Sequence, residues 1–323
     1  MTKEDVLSLL EHADAPVSGE QMCRALGISR AAVWKAMEAL RADGYDIEAA
    51  PRRGYRLRAC PLSSAALEAH LAGAAWLTNL IVLPEVDSTN NYLKTLAANG
   101  APDGTAVLSL KQTAGRGRRG RSFLSEPGGL YLSFLLRPHV PPQQLLHLTA
   151  LAGLCVCQAV EETTGMHAGI KWPNDPVLNG KKLCGILTEL SASLETQETE
   201  YVVIGIGINC NQVAFPPELD MATSLRMETG AGVDVNALAA ALLRRLHHMR
   251  ETFLTEKEAW VSDFAAHCLN VGKDVQILHN GACTQAKATG IGPDAELLVS
   301  YPDGTTGAVS SGEVSVRGLY GYV

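Results

Sequence analysis

Apolar and polar positions change their spacing twice along this chain of 323 residues. Up to residue 58, apolar residues recur at helical spacing and are followed by two short strand-like pieces. From Leu80 helical and strand-like segments alternate, and from Gly272 only short strands between tight turns remain. Periods of 3.6 and 2 residues distinguish helices from strands. The sequence therefore predicts an α+β chain of three domains, 1–60, 61–270 and 271–323.

The first domain has the pattern of a winged helix-turn-helix. Helices are predicted over Lys3–His12, from a capping box at Ser18–Gln21 to Leu26, and over Arg30–Ala42. Two strands, near Asp46–Ala50 and Tyr55–Arg58, flank a Pro51–Gly54 turn. The third helix of such a module enters the major groove, and the residues predicted to contact DNA are Ser29, Arg30, Ala31, Trp34, Lys35, Arg52 and Arg53. A module that contacts only protein is the alternative.

The second domain is predicted to mix helices and strands. Its strands are expected at Leu80–Val86, Thr105–Leu110, Leu130–Arg137, Gly169–Trp172, Pro176–Leu178, Lys181–Leu190 and Tyr201–Asn209. Its helices are expected at 65–77, from Asp87 to Asn99, and at Pro142–Thr164, Asn236–Phe253 and Glu256–Ala266. Asn179-Gly180 predicts a type I′ hairpin turn. The third domain is predicted to be a small barrel-like β domain.

Composition narrows the class of protein. Charged residues make up 19% and the net charge is −7, which excludes a chain that binds nucleic acid along its whole length. Residues 1–58 carry nine basic and nine acidic residues, so the whole net charge falls on the rest. The eight cysteines form no C-x-x-C pair and are predicted to be reduced. With no signal peptide at the start, and an apolar stretch Leu145–Val160 judged too short to span a membrane, the chain is predicted to be cytoplasmic.

The most informative segment is the Gly–Arg loop, residues 115–121, which holds three glycines and four arginines. Flexible backbone amides and fixed positive charge suit a phosphate or carboxylate ligand. The loop also matches G-x-G-x-x-G, but a dinucleotide-binding fold needs a helix to open at these glycines. A strand-like run, Leu130–Leu136, follows instead, so that interpretation is rejected. A solvated arginine-rich turn is the alternative.

Four other polar segments interrupt the apolar pattern: Asp87–Asn90, Lys171–Pro176, Gly180–Leu187 and Gly205–Asn209. The first three also have a structural explanation, respectively a helix cap, an Asn/Asp turn and a hairpin-edge lysine. The strand glycines of the fourth predict close backbone approach by a ligand. Lys182 lies on an otherwise apolar strand, so it is predicted to need an anionic partner.

No Ser/His/Asp pattern, paired-carboxylate motif or metal-type histidine cluster is present. The chemistry is therefore predicted to come from positioning and charge neutralisation. Attack of a carboxylate on an α-phosphate, assisted by lysine and arginine, is a reaction of this kind.

Together with the terminal segment Gly312–Arg317, these motifs resemble those of the bifunctional biotin protein ligase and biotin operon repressor family. The resemblance covers nearly the whole chain. It implies a winged helix-turn-helix, a mixed α/β core of the biotin/lipoate ligase type and a C-terminal SH3-like β-barrel. It also implies ATP and Mg²⁺ as cofactors, and biotin as substrate and co-repressor. The implied partners are the biotin carboxyl carrier protein, an acetyl-CoA carboxylase subunit, and operator DNA bound by a homodimer.

The resemblance also assigns roles to residues. Those implied for biotin are Ser88, Thr89, Asn90, Gln112, Gly115, Arg116, Gly117, Lys182, Gly185, Leu187 and Gly205. Those implied for ATP are Arg118, Phe123, Lys171, Asn174, Asp175, Lys182 and Asn209. Lys182, Arg118 and Arg121 would be catalytic, and Asp175 would meet Mg²⁺ indirectly. The family often has tryptophan where this chain has Phe123, a smaller ring to stack on adenine.

Two other functions remain open at this stage. The first is a DNA-binding regulator that senses a small ligand without catalysis. Such a regulator would need no ATP site, whereas Arg118, Lys171 and Lys182 predict one. A lipoate-type ligase on a related core is disfavoured by the Gly–Arg loop and the winged helix.

Overall fold

The N-terminal domain is a winged helix-turn-helix in the computed structural model of the chain, which describes residues 2–13, 15–42, 44–50, 53–74, 76–77, 79–193, 195–279, 282–310 and 314–318. Its elements are α1 (Thr2–Glu11), α2 (Gly19–Leu26), α3 (Arg30–Ala42), β1 (Asp46–Ala50) and β2 (Gly54–Ala59). β1 and β2 form an antiparallel pair. The predicted helices and strands of this domain are confirmed within one or two residues at each end.

Local sequence signals set the turns of this domain. The Ser18 hydroxyl accepts from the backbone amide of Gln21, and the Gln21 side chain accepts from the Ser18 amide, which is the predicted capping box. Gly27 ends α2 in the left-handed conformation, which glycine adopts at least cost. The predicted apolar face of α3, with Val33, Met37 and Leu40, is buried in the small core of the domain.

The central domain is built on a mixed five-stranded sheet. Its elements in chain order are α4 (Ser64–His70), β3 (Leu80–Leu83), α5 (Thr89–Ala98), β4 (Ala106–Ser109), β5 (Leu130–Leu136), α6 (Leu148–Thr164), β6 (Gly169–Lys171), β7 (Asp175–Leu178), β8 (Lys181–Lys182), β9 (Cys184–Ala192), β10 (Thr199–Ile208), α7 (Leu225–Thr229), α8 (Val235–Thr252) and α9 (Lys257–His267). The strand order is β3-β4-β5-β10-β9, and only β3 and β4 run parallel. Strands β6, β7 and β8 form a second, smaller sheet.

Helices cover both faces of the large sheet. On one face α5 packs Leu93 and Ala97 against Val107, Leu135 and Val203. On the other face the main core contains α6 and α8 together with Phe134 and Ile204. Because every residue of β5 is buried, this strand is apolar at every position except Ser133 and does not alternate.

The strand prediction over Lys181–Leu190 was wrong in one respect, because the chain changes sheets at Leu183. Lys182 pairs with Val177 in the small sheet, whereas Cys184 pairs with Ile208 in the large one. Asn179 and Gly180 form the predicted two-residue turn, both with positive φ. The strand predicted to reach Val86 ends at Leu83, the helix predicted over 65–77 is Ser64–His70, and α7 was not predicted.

One helical segment has the length and apolarity of a membrane span. Residues Pro142–Thr164 comprise 23 residues, so the judgement that this stretch is too short was wrong. Of its most apolar window, 72% is buried inside the protein, because α6 packs on α8, α9 and β9. Burial in the core accounts for its apolar composition.

The C-terminal domain is an antiparallel sheet of β11 (Asp274–His279), β12 (Ala282–Ile291), β13 (Leu297–Ser300), β14 (Thr306–Val309) and β15 (Val314–Gly318), in which β15 returns to pair with β11. Its strand order is β14-β13-β12-β11-β15. The strand-rich fold is confirmed, and closure into a barrel stays a prediction. The predicted Asn280-Gly281 turn and residues Gly312 and Glu313 of the terminal motif lie outside the described residues.

Hydrogen bonds and ion pairs are among the contacts that join the domains. The C-terminal domain meets the central one at Trp172, whose indole nitrogen donates to the Ala295 carbonyl over 2.9 Å. The Trp172 backbone amide donates to Oδ1 of fully buried Asn270 over 2.7 Å. Asp46 of β1 forms an ion pair with Arg226 of α7 over 3.0 Å, which ties the winged helix to the central domain.

Substituting Asn270 by alanine is expected to lower the free energy of unfolding by about 1–3 kcal/mol, since the buried amide of Trp172 would lose its acceptor. Urea unfolding followed by tryptophan fluorescence measures this change. Asn99→Ala at an exposed helix end serves as the control. An Asn270→Ala protein as stable as the wild type would contradict the analysis.

Candidate functional site

A cavity of about 630 Å³ opens between the start of α5, the Gly–Arg loop, strands β9 and β10, and the Trp172-Pro173 turn. Its volume is within the range of small-molecule sites. The cavity brings together every residue predicted for biotin or ATP except Gly115, and it also includes Arg121. Gly115 lies behind the loop, where an added Cβ would come within 2.4 Å of the Phe123 carbonyl and Ser125 Oγ.

Glycines form the floor of the cavity. Gly205 lies across from Ser133 and Leu187, and Gly207 lies across from Tyr131 and Gly185. A Cβ at Gly205 would come within 2.1 Å of Asn90, and one at Gly207 within 2.6 Å of the Phe123 ring. The predicted close approach at these glycines is therefore made by two side chains of the protein itself.

One end of the cavity is polar and uncharged. Gln112 Oε1 accepts from the Thr89 amide at 2.8 Å and from Thr89 Oγ1 at 3.0 Å. Gln112 Nε2 donates to Ser125 Oγ at 2.9 Å, and Ser125 in turn donates to the Phe123 carbonyl. These partners fix which way the Gln112 amide points, and they use one of its two amide hydrogens.

Asn90 lines the cavity, but its amide is bound to protein groups. Its Nδ2 donates to Glu189 Oε2 at 2.9 Å and to the Leu187 carbonyl at 3.3 Å. Its Oδ1 accepts from Ser133 Oγ at 2.6 Å. Asn90 therefore holds its neighbours in place, whereas sequence reasoning predicted direct contact with the ligand.

Glu189 lies behind this end of the cavity and was not predicted. Its carboxylate pairs with Lys94 Nζ at 2.7 Å and lies 3.6 Å from Arg116. Burial by itself raises the pKa of Glu189, but the hydrogen bonds and charges of Lys94, Asn90 and Arg116 lower it more. The pKa thus lies below its ordinary value, and the carboxyl is ionised at neutral pH.

The other end of the cavity is cationic. Lys182 Nζ donates to Asp175 Oδ1 at 2.6 Å, which is the anionic partner predicted for this lysine. Arg118 Nη1 donates to Asn174 Oδ1 at 2.8 Å, and Asn174 Nδ2 donates to the Ile186 carbonyl. Lys171 lines the same end and is 8% exposed. This arrangement can neutralise an anion such as a phosphate.

Ser88 starts α5 at the edge of the cavity. It occupies the N-cap position and is buried, yet its side chain makes no capping hydrogen bond. Simple N-capping therefore does not explain this serine. The amino end of α5 carries partial positive charge, and its first amide, that of Thr89, donates to Gln112 Oε1.

Sequence reasoning missed the wall formed by residues 215–222, which includes Phe215, Glu218, Leu219 and Met221. The wall pairs with β8, since the Lys182 amide donates to the Met221 carbonyl and the Thr223 amide donates to the Lys182 carbonyl. A long loop between a buried strand and a helix was the available signal, because such loops in compact domains are commonly functional.

Side chains that would suggest other chemistry are not assembled in the part of the chain that the structure describes. No three His, Cys, Asp or Glu residues there form a metal site. The eight cysteines are free thiols, as predicted. Burial raises the pKa of the Cys184 thiol well above its ordinary value, so this cysteine beside the cavity is a neutral core residue.

The winged helix presents a second candidate site on α3. Ser29, Arg30, Ala31, Trp34 and Lys35 are all exposed, and Trp34 is 63% exposed. Arg53 is exposed in the turn between β1 and β2, and Arg52 lies outside the described residues. Ser29 Oγ also accepts from the Ala32 amide at the start of α3. The predicted DNA-contacting residues that the structure describes are therefore all accessible to a partner.

Comparisons with known proteins identify the families of the central and N-terminal domains. Residues 82–209 match the biotin/lipoate A/B protein ligase family, and residues 2–56 match an HTH domain. The chain is 40% identical to the bifunctional ligase/repressor BirA of Bacillus subtilis, over 94% of this chain and 95% of that protein. It is 33% identical to BirA of Escherichia coli, over 93% of this chain and 92% of that protein. A biotin protein ligase from Aquifex aeolicus, solved with biotin and ATP, superposes with a TM-score of 0.65 at 36% identity, covering 75% of this chain and 99% of that one. The chain therefore belongs to the family of bifunctional biotin ligase/repressors.

Proposed function

We propose that this protein is an ATP-dependent biotin–protein ligase that also represses transcription in response to biotin. One observation carries the ligase proposal: a single cavity joins an uncharged hydrogen-bonding end to a cationic end, and Lys182 lies between them. Such a cavity suits two ligands, one with a neutral polar head and a carboxylate, and beside it a nucleoside triphosphate at the cationic end.

Biotin occupies the uncharged end in this proposal. Its ureido ring faces Thr89 and Gln112, and the remaining amide hydrogen of Gln112 is a donor for the ureido oxygen. Leu187 and the glycine floor leave room for the apolar thiophane ring and side chain. The valerate carboxylate then reaches Lys182, and the Gly–Arg loop with Arg116 and Gly117 covers the ligand.

ATP occupies the cationic end. Lys171, Arg118 and Lys182 neutralise its phosphates, Arg121 adds charge at the rim, and Phe123 offers a ring face for adenine. Asn174 and Asn209 hold the surrounding loops, since Asn209 Nδ2 donates to the Thr223 carbonyl. Mg²⁺ fits as a companion of the phosphates, because Asp175 offers one carboxylate and this ion binds through one or two carboxylates plus substrate oxygens. When bound, it adds positive charge at the phosphates.

The first step follows from this placement. A biotin carboxylate oxygen attacks the α-phosphorus, a new O–P bond forms, and the bond to the β-phosphate oxygen breaks to release pyrophosphate. Lys182 lies between two anions that would otherwise repel, so it lowers the cost of their approach. Asp175 holds the ammonium group at that position. The product, biotinyl-5′-AMP, is a mixed anhydride that the cavity walls shield from water.

In the second step an acceptor lysine amine attacks the biotinyl carbonyl. An amide bond forms, the C–O bond to AMP breaks, and the amine loses its proton. We propose a biotin carboxyl carrier protein, the acetyl-CoA carboxylase subunit, as the acceptor. The cavity mouth between the Gly–Arg loop and residues 215–222 is where its lysine enters.

The winged helix supplies the repressor function. Trp34, Lys35, Arg30 and Arg53 are exposed where a recognition helix and wing meet DNA. We propose that the adenylate-bound protein acts in the cytoplasm as a homodimer on an operator. A regulator that only senses biotin is disfavoured by the cationic end of the cavity, which biotin alone does not need. A lipoate ligase is disfavoured by the ureido-compatible pair Thr89 and Gln112.

Lys182→Ala is expected to lower the rate of biotin-dependent ATP–pyrophosphate exchange by about 10²–10³-fold, because one charge at the reacting phosphate is lost. The neighbouring Lys181, which is exposed, gives the matched control Lys181→Ala with wild-type exchange. Absence of biotin-dependent exchange in the wild type would refute the ligase proposal. A Lys182→Ala rate equal to that of the control would refute the role of Lys182.

Arg118→Gly is expected to release biotinyl-5′-AMP about 10- to 100-fold faster, since the contact with Asn174 and a phosphate contact are removed together. Release is measured by chasing labelled adenylate, and by biotinylation of bystander proteins. Arg118→Lys keeps the charge, so its rate of adenylate release is expected to lie between those of the wild type and Arg118→Gly. Wild-type retention by Arg118→Gly would show that the Gly–Arg loop does not hold the adenylate.

Lys35→Ala is expected to weaken operator binding and to reduce the slope of log affinity against log salt by about 1, the value for one phosphate contact. Fluorescence anisotropy with operator DNA, in the presence of biotin and ATP, measures both quantities. Lys287→Ala, an exposed cation of the C-terminal domain, is the control and is expected to change neither. Equal slopes for the wild type and Lys35→Ala would exclude Lys35 from the interface.

A further inference from the structure

A chain of buried hydrogen bonds runs from Glu189 to the uncharged end of the cavity. Its links are Glu189 Oε2 to Asn90 Nδ2 at 2.9 Å, Asn90 Oδ1 to Ser133 Oγ at 2.6 Å, and Ser133 Oγ to Thr89 Oγ1 at 2.8 Å. Asn90, Ser133 and Thr89 are at most 4% exposed. Water therefore has little access to these links, and each group depends on the next for its partner.

Two acceptors fix the direction of the links. The ionised Glu189 carboxylate, at 2.9 Å, and the Leu187 carbonyl, at 3.3 Å, accept hydrogen bonds and cannot donate them, so the amide nitrogen of Asn90 must face them. The Asn90 oxygen then faces Ser133, and the single hydroxyl hydrogen of Ser133 is donated to it. Ser133 has no hydrogen left for Thr89, so the Ser133 oxygen can only accept from Thr89.

Thr89 consequently directs its only hydroxyl hydrogen inward. Two acceptors compete for it, Ser133 Oγ at 2.8 Å and Gln112 Oε1 at 3.0 Å. Both belong to the protein, and both lie away from the ligand. What Thr89 offers toward the cavity is a lone pair, which binds an N–H group and repels an oxygen at the same position.

We infer that Glu189 is a specificity-determining positioning residue, which acts through Asn90 and Ser133 to make Thr89 Oγ1 an acceptor for a ureido N–H of biotin. The inference rests on the proposed biotin site and adds to it the atom that selects a donor. Lys94 contributes to this arrangement, because its ammonium group 2.7 Å from Glu189 stabilises the charge of a half-buried carboxylate.

Arg116 also contacts Glu189, at 3.6 Å, and a substitution of Glu189 would release it. This second effect can be separated from the first. The Arg116 guanidinium can only donate, so its loss weakens a urea and a carbamate alike at the oxygen they share. The relative affinity for ligands with and without the N–H responds only to the direction of the Thr89 hydroxyl.

The test compares biotin with its two cyclic carbamate analogues, each with one ureido N–H replaced by oxygen. Isothermal titration gives the dissociation constants for the full-length protein. The wild type should reject the carbamate that faces Thr89, as sites built to bind an N–H do. In Glu189→Gln the ratio of carbamate to biotin dissociation constants should fall by about tenfold or more, while the KM for ATP stays unchanged.

Three further variants sharpen the result. Glu189→Asp keeps an acceptor-only carboxylate, so it should keep the wild-type ratio of carbamate to biotin dissociation constants even where overall affinity falls. Asn90→Ala removes the amide that joins Glu189 to Ser133, so the ratio of carbamate to biotin dissociation constants should fall. This variant tests the inference if Glu189→Gln does not fold. Glu198→Gln alters an exposed glutamate on the same hairpin and should behave as the wild type.

The outcomes separate this inference from the proposed function. A wild-type protein that binds no biotin overturns both. A wild-type protein that binds biotin and rejects the carbamate, with Glu189→Gln and Asn90→Ala unchanged in ratio, overturns the inference alone. The inference is supported if the ratio falls in Glu189→Gln and Asn90→Ala and keeps its wild-type value in Glu189→Asp and Glu198→Gln.

Discussion

The structure of the site depends on the hydrogen-bond satisfaction of a few buried polar groups beneath it. Thr89, Asn90 and Ser133 are buried, so each must have hydrogen-bond partners. The pairings are possible only because α5 starts where β5 carries a serine and β10 carries a glycine. The position of α5, the packing of the sheet and the shape of the cavity therefore follow from one constraint, the cost of leaving these groups unpaired.

The cavity also separates two electrostatic environments. At the α5 end Glu189 pairs with Lys94 and lies 3.6 Å from Arg116, so its charge is offset beside the ligand space. Four cations line the rest of the cavity, Lys171, Arg118, Lys182 and Arg121, together with three carboxylates, Asp175, Glu218 and Asp220. A neutral ligand head and a polyanion are thus directed to different ends, and their reactive groups meet near Lys182. No side-chain nucleophile is needed for such a reaction, because the substrate supplies its own carboxylate.

Much of this arrangement could be predicted from the sequence, for reasons that differ between elements. The winged helix could be predicted because its capping box, its left-handed glycine and its periodic apolar face are local signals. The role of Lys182 could be predicted because a lysine in an apolar strand requires an anion. Glu189 could not be found in this way, since a glutamate on an edge strand resembles an ordinary exposed residue until Asn90 is placed beside it. The change of sheet at Leu183 and the wall at 215–222 likewise depend on contacts between segments distant in sequence.

The glycine floor has a consequence for the stability of the protein. A glycine inside a strand costs about 0.5–1 kcal/mol relative to alanine, and Gly185, Gly205 and Gly207 lie within strands β9 and β10. The strands thus lose stability at the positions where Asn90 and the Phe123 ring lie against these glycines, beside the cavity. A ligand that binds in the cavity binds the folded state alone, and it stabilises that state in proportion to the logarithm of its concentration. Bound biotin would therefore offset part of this cost, and a cell short of biotin would hold the protein in a less stable form.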